Sequence, residues 1–157
     1  MNNFYFIILT KMSMISIYTS MRLIRQKYST SCGIACVAMI TGKSHKTIMQ
    51  KAIELFQWHS EDLEYNSRTS RKMIKILLAE FGIEGTFKSF SSWDNIEGLN
   101  LVAVRYNPKT GNWHWIVTKR NRKALKIYDP EKESPIEFRE KEKPDGRTYR
   151  GKWFLRI

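Results

Sequence analysis

The sequence is poor in the residues that form disulfides and bind metals, with two cysteines and three histidines among 157 residues. A disulfide-stabilised secreted domain uses more cysteines, so we expect a reducing, cytoplasmic environment. A disulfide between Cys32 and Cys36 would be strained, because the two would lie within one helical turn. Structural zinc usually takes four ligands and shorter cysteine spacing. With only His45, His59 and His114 to complete such a set, we expect no metal site and no cofactor.

Acidic residues are also few: 15 Asp and Glu stand against 27 Lys and Arg, for a net charge of +12. This excess favours salt-sensitive adhesion to nucleic acid or acidic lipid. However, the basic residues are spread along the chain, and the densest run, KRNRKALK at 119–126, is typical of a hairpin tip between two apolar strands. We therefore expect no specific nucleic-acid partner. A basic nucleic-acid-binding protein remains a hypothesis that rests on charge alone.

The sequence lacks an apolar run that is long enough to cross a bilayer. Residues 1–20 are apolar at first, but Lys11 interrupts them and no basic residue precedes the first apolar run. That pattern makes a poor secretory signal. Three interpretations stay open: a weak membrane or export segment, an extra strand, or an extension upstream of a later start such as Met21. We favour the extension, and divide the chain into residues 1–20 and a domain at 21–157.

The remaining pattern predicts helices first and an antiparallel sheet afterwards, which is an α+β arrangement in two packed layers. Helices are predicted at 32–42, 44–58 and 69–82, and strands at 82–90, 101–107, 113–120, 124–130 and 152–157. Serines and threonines precede each helix as candidate N-caps, and Gly42 is a candidate C-cap. The charged stretch from Glu131 to Arg150 is predicted to be mostly loop.

A phosphate-binding loop is suggested by TGKS at 41–44, which has the end of a Walker A motif. That motif needs a glycine where Val37 stands, and it must follow a strand. Here it follows a predicted helix. We therefore expect no nucleotide site.

Cys32 is predicted to lie in the first turn of a helix. The positive end of the helix dipole favours a thiolate at that position, and Gly33 leaves space beside the sulfur for a carbonyl group. A nucleophile of this kind also needs a base, a group that orients the base, and donors for the oxyanion. The sequence therefore has to supply three further groups.

His114 and Asp129 meet two of these requirements. His114 lies in the apolar strand WHWIV, where an ionisable ring is costly unless it has a task, and Asp129 ends the next strand, IYDP. Adjacent antiparallel strands can bring the two together, in the chain order Cys, His, Asp. The oxyanion donors would be the backbone N–H of Cys32 and the side-chain amide of Gln26. Each residue alone has an ordinary structural explanation, and it is their joint occurrence that indicates catalysis.

These residues resemble the bacteriocin-processing cysteine peptidases, which remove double-glycine leaders and have a papain-like fold. Members of the family begin with a glutamine six residues before a helix that starts Cys-Gly-x-Ala-Cys. In this sequence Gln26 and CGIAC at 32–36 have the same spacing. LLAEFGI, LVAVRYN, HWIV and YDP follow in the family's order, so the resemblance covers about 21–130. The sequence after Pro130 has no counterpart that we can match.

The resemblance implies that Cys32 is the nucleophile, His114 the general base and then acid, Asp129 the orienting group and Gln26 an oxyanion donor. Cys36 would be structural. The implied substrate is a peptide or protein, cut after a leader containing glycine, with a separate exporter as a further partner because the chain shows neither membrane helices nor an ATPase. Membrane contact through residues 1–20 stays open. The alternative is a non-catalytic peptide-recognition domain of the same fold.

Overall fold

The computed structural model describes residues 21–157. The predicted extension at residues 1–20 lies outside the described residues. The α-helices are α1 (Cys32–Thr41), α2 (His45–Phe56), α3 (Leu63–Asn66) and α4 (Arg71–Ala79). The strands are β1 (Thr86–Ser89), β2 (Gly98–Asn107), β3 (Asn112–Arg120), β4 (Ala124–Tyr128), β5 (Ile136–Arg139) and β6 (Gly151–Arg156). Short 3₁₀ turns occur at Ser60–Asp62 and Trp93–Asn95.

The six strands form one sheet in the order β1-β6-β2-β3-β4-β5, and every pair is antiparallel. The α+β prediction is confirmed. Side chains alternate between the two faces of a strand, and both faces of the central strand β2 are buried. Leu101 and Ala103 join the core beneath the helices, whereas Val102 and Val104 join a second apolar cluster. This burial on both sides explains why β2 reads as a continuous apolar run.

Helix α1 is the innermost helix, since all ten of its residues are buried. It packs against β3 on one side and against α2 and α4 on the other. Its small and apolar sequence, CGIACVAMIT, allows this close packing all round. The helix therefore holds Cys32 against the middle of the sheet.

The helix caps agree with the prediction in most places. Ser44 and Ser70 accept from backbone N–H groups three residues on, and Gly42 ends α1 in the left-handed conformation. Ser31 occupies the N-cap position of α1, but its side chain makes no capping bond. Its hydroxyl instead donates to the Tyr28 carbonyl oxygen and accepts from the Tyr28 N–H, both at 3.0 Å. The first N–H groups of α1 are therefore not used by this side chain.

The stretch from Glu131 to Arg150, predicted to be mostly loop, is mostly loop, but it also contains strand β5, which the sequence did not indicate. β5 pairs with β4, with Ile136 opposite Ile127 and Phe138 opposite Leu125. Its alternation is only four residues long and lies between charged residues, so the local pattern was too short to show a strand. The predicted hairpin at 119–126 is confirmed, with residues 121–123 connecting β3 to β4 and Lys119 paired with Lys126.

None of the helices among residues 21–157 has both the length and the apolar character that a bilayer crossing requires.

Gly33 provides a test of how tightly α1 packs. A methyl group added at this position would overlap the Oγ1 atom of Thr69. Without this overlap, alanine would stabilise the helix by about 1 kcal/mol relative to glycine. Whether the substitution raises or lowers the free energy of unfolding therefore depends on the overlap. We expect Gly33→Ala to lower the free energy of unfolding by about 1–3 kcal/mol, the usual cost of overpacking, as measured by urea denaturation.

The double variant Gly33→Ala with Thr69→Ala is the control for this overlap. It removes the overlapping hydroxyl, so it should be more stable than Gly33→Ala alone. A double variant that is less stable than either single variant would contradict the packing argument.

Candidate active site

Cys32 is the first residue of α1, and its side chain lies at the edge of a cleft between the helices and the sheet. The residue is 9% exposed, and its thiol is free. The first N–H groups of a helix have no partner within the helix, so the N–H of Cys32 is available as a donor at this position. The cleft has a volume of about 640 Å³.

His114 and Asp129 are brought together by the register of strands β3 and β4. The ladder between these two strands ends with Val117 opposite Tyr128. Asp129 is the next residue after Tyr128, and His114 lies three residues before Val117, so both stand at this end of the ladder, where their side chains can reach one another. The His114 Nε2 atom and the Asp129 Oδ1 atom are 2.7 Å apart, and the two side chains are only 8% and 2% exposed.

The ring orientation follows from this hydrogen bond. Nε2 is bonded to Asp129, and His114 is also a hydrogen-bond partner of Cys32, for which Nδ1 is the nitrogen that remains. Burial by itself lowers the pKa of His114, but hydrogen bonds to Asp129 and Cys32 and the negative charges of both outweigh burial and raise the pKa to about 9. At neutral pH the geometry therefore favours a protonated imidazole beside the ionised carboxylate of Asp129.

Asp129 is surrounded by donors. Its Oδ1 atom accepts from His114 and from the Glu131 N–H at 3.0 Å, and its Oδ2 atom accepts from the Tyr149 hydroxyl at 3.0 Å. Burial alone would raise the pKa of Asp129. The hydrogen bond and the charge of His114, with the donors from Glu131 and Tyr149, outweigh it and hold the pKa below its usual range. The carboxylate therefore stays ionised although it is buried.

Tyr149 is a residue of this site that the sequence did not indicate. It lies just before β6 in the stretch read as loop, and it is 4% exposed. Burial, followed by the charge of Asp129, raises the pKa of its hydroxyl, so this group remains a donor. No local pattern marks the residue, because its partner is 20 residues away along the chain.

Gln26 lies close to Asp129 through the backbone. Its N–H donates to the Pro130 carbonyl oxygen at 3.1 Å, and its side-chain Nε2 donates to the Ser29 carbonyl oxygen at 3.1 Å. One hydrogen of the amide group is thereby used, and the second is left for another acceptor. The structure brings Cys32, His114 and Asp129 together, and places Gln26 beside the loop that follows Asp129.

Cys36 differs from Cys32 although it lies one turn further along α1. It is completely buried, and burial, followed by the charges of Cys32 and Asp129, raises the pKa of its thiol well above the usual value. A neutral buried thiol is a poor nucleophile. Its environment is that of a packing residue.

Of the described residues, His114, Asp129 and Glu131 form the one group of three that could present ligand atoms to a cation, within 4.8 Å of one another. Both oxygens of Asp129 already accept hydrogen bonds. A cation would have to replace these bonds. The arrangement is better suited to holding an imidazole than to holding a metal.

Trp113 and Trp115 line one side of the cleft. The two rings meet edge to face with centroids 5.7 Å apart, and Trp115 donates from Nε1 to the Thr69 carbonyl oxygen at 3.1 Å. Arg68 donates across the cleft to the side chain of Asn112. These contacts tie the segment before α4 to strand β3 and limit the width available to a ligand.

Comparisons with known proteins concern the family and the fold of the chain. The model of the Peptidase C39 family matches residues 20–142. Among solved structures, the chain is similar to a double glycine motif protease from an AMS/PCAT transporter, crystallised in complex with the leader peptide. The TM-score is 0.57 at 17% identity, over 87% of this chain and 91% of that chain. None of the curated proteins matches the chain.

The ionisation of His114 can be measured by NMR titration of its ring protons. We expect a midpoint near pH 9 in the wild type. Cys32→Ala should lower the midpoint, since the hydrogen bond and charge of Cys32 both raise it. Because the folded-state pKa is raised, the stabilisation from this group is complete below the ordinary histidine value and is lost as the pH rises through about 9. Cys36→Ala is the matched control and should leave the midpoint in place.

Tyr149→Phe tests whether the tyrosine supports Asp129. The change leaves one buried carboxylate oxygen without its donor, so we expect a loss of about 1.5–3 kcal/mol in unfolding free energy. Without this donor, the pKa of Asp129 should rise towards its ordinary value. The stability that the ionised carboxylate contributes should then be lost at a higher pH when the protein is acidified. Tyr65→Phe, at an exposed tyrosine, is the control. Equal acid-unfolding midpoints for Tyr149→Phe and the wild type would contradict this role.

Proposed function

The chain belongs to the Peptidase C39 family and is a cysteine peptidase, and we propose that it cleaves peptides with Cys32, His114 and Asp129 as its catalytic triad. The observation that carries this proposal is the buried hydrogen bond of 2.7 Å between His114 and Asp129, with Cys32 as a second partner of the imidazole in the same cleft. This is the relation of nucleophile, base and orienting group that acyl transfer requires.

In this proposal, Cys32 attacks the carbonyl carbon as a thiolate and the imidazolium of His114 gives its Nδ1 proton to the leaving amine. The C–N bond breaks, and a thioester joins the acyl group to Cys32. His114, now neutral, takes a proton from water, and the resulting hydroxide attacks the thioester. The C–S bond breaks, the acid product leaves and the ion pair is restored. Asp129 holds Nε2 throughout, so the ring cannot turn away from Cys32.

The oxyanion that forms in both steps needs preorganised donors. The backbone N–H of Cys32 is one candidate, because it lies in the first turn of α1. The second N–H of the Gln26 amide is the other, since the first is used by Ser29. The bond from the Gln26 N–H to Pro130 supports this role by holding the residue next to the triad.

The proposed substrate is a peptide with a leader that contains glycine, cut after a small residue. Two features of the cleft support this: the Trp113 and Trp115 rings along one wall, and the bridge from Arg68 to Asn112 across it. A bulky side chain before the cut bond would meet these groups. The similar solved protease was crystallised with the leader peptide and comes from a transporter, so we also propose a separate exporter as a partner. Residues 21–157 are the proposed peptidase domain.

A peptide ending its leader in Gly-Gly tests this proposal, with cleavage followed by mass spectrometry. We expect Cys32→Ala and His114→Ala each to lower kcat/KM by about 10⁶-fold, as loss of the nucleophile or the base does elsewhere. A second peptide, with valine before the cut bond, should be cut much more slowly. Cys36→Ala is the matched control: it loses a buried thiol but should keep activity within about threefold, since truncating a packing residue affects stability first.

Cleavage by Cys32→Ala at the wild-type rate would refute the triad. A wild-type protein that binds the peptide tightly and never cuts it would support the peptide-recognition alternative instead.

A further inference from the structure

The rim of the cleft next to His114 carries an ion pair that the triad does not use. Arg105 donates from Nη2 to the Oε2 atom of Glu131 at 2.7 Å. The other carboxylate oxygen, Oε1, is 3.8 Å from Nδ1 of His114. Both side chains line the cleft, and each is partly exposed, at 36% and 40%. Neither residue was indicated by the sequence.

Arg105 takes an unusual backbone conformation to reach this position. Its φ is +56°, in the left-handed region that residues other than glycine rarely adopt. The register of β2 shifts against both neighbouring strands here, between Val104 and Asn107 on one side and between Ala103 and Val104 on the other. Bulges of this kind change the direction of a side chain and are frequent beside active sites. The bulge turns Arg105 towards the cleft and Glu131.

Glu131 is also held from its backbone. Its N–H donates to Oδ1 of Asp129, and the guanidinium of Arg105 holds Oε2, so the carboxylate has one oxygen, Oε1, directed at the His114 side of the cleft. A carboxylate held at both its backbone and its side chain is preorganised for a ligand. Arg105 is bound to Oε2, the oxygen farther from His114. The charged atom of this pair that lies nearest to Nδ1 is therefore Oε1, which is negative.

The chemistry of cleavage decides which part of a substrate lies there. Nδ1 must give its proton to the leaving nitrogen, which therefore lies about 3 Å from it in the reacting complex. Added to the 3.8 Å between Nδ1 and Oε1, this places the leaving nitrogen within about 7 Å of Glu131. That nitrogen belongs to the first residue after the cut bond. A long side chain on this residue can reach the carboxylate.

We propose that Glu131, held by Arg105, forms the subsite for the first residue after the cut bond and favours a lysine or arginine there over an acidic residue. A cationic side chain can pair with Oε1, whereas a carboxylate would be repelled by it. This inference rests on the proposed peptidase function, because it uses the direction of the leaving amine. It adds the substrate class: peptides whose released portion begins with a basic residue.

The test uses one leader peptide in three forms, with lysine, alanine or glutamate after the cut bond. For the wild type we expect kcat/KM for the lysine peptide to exceed that for the glutamate peptide by about tenfold, the size of a partly exposed charge effect. In Glu131→Gln, which keeps the shape and removes the charge, this ratio should fall to within about twofold.

Glu133→Gln is the matched control. Glu133 lies two residues further along the same loop, is 89% exposed, and contacts Arg25 rather than the cleft. The Glu133→Gln variant removes the same charge from the same loop. The ratio of kcat/KM between the lysine and glutamate peptides should therefore stay at the wild-type value. A ratio that falls equally in both variants would show a general effect of net charge and would overturn the proposal. A wild type without preference, or a preference that survives in Glu131→Gln, would overturn it as well.

A binding assay separates this proposal from the peptidase function. The same three peptides, fluorescently labelled, are titrated by anisotropy against Cys32→Ala and against Cys32→Ala with Glu131→Gln. Tighter binding of the lysine peptide to Cys32→Ala, lost in the double variant, would support the subsite. This holds even if the wild type cuts none of the peptides, because the absence of cleavage would contradict only the peptidase proposal. Equal binding of the lysine and glutamate peptides to Cys32→Ala, or no binding of either, would overturn the subsite whatever the cleavage result.

Discussion

The hydrogen bond between His114 and Asp129 is the constraint on which the site depends. A buried carboxylate is costly unless it is paired and hydrogen-bonded, and Asp129 is 1% exposed. It is kept ionised by three donors, from β3, from the loop after β4 and from the residue before β6. These segments are far apart in sequence. The sheet must therefore be fully assembled before the imidazole has a fixed orientation.

The order of the strands explains why the helices and the sheet share one site. Strand β3 lies near the centre of the sheet, between β2 and β4, and α1 packs directly on it. Cys32 at the start of that helix and His114 on that strand are therefore held by the most buried contacts of the fold. Groups needing less precision, such as Arg105 and Glu131, lie at the rim, where the chain bends through a bulge.

The two cysteines show how the same side chain acquires different properties one helical turn apart. Cys32 lies at the cleft, beside the imidazole of His114. Cys36 has no exposed surface, and burial keeps its thiol protonated. Solvent access and the neighbouring imidazole separate the proposed nucleophile from a packing residue. In the functions that we propose, the tryptophans along the cleft and the charged rim formed by Arg105 and Glu131 add selectivity for particular peptides.

Local sequence determined a large part of this protein. The capping serines Ser44 and Ser70 and the apolar strands of the sheet are short-range signals, and the order of Cys32, His114 and Asp129 could be read from a resemblance to a known family. Strand β5, the donor Tyr149 and the pair of Arg105 with Glu131 could not be predicted, because each depends on a partner distant in the chain. Sequence periodicity reports which face of an element is apolar. Only the packed sheet decides which polar groups meet, since their pairing is fixed by strand register and by the need to satisfy a buried charge.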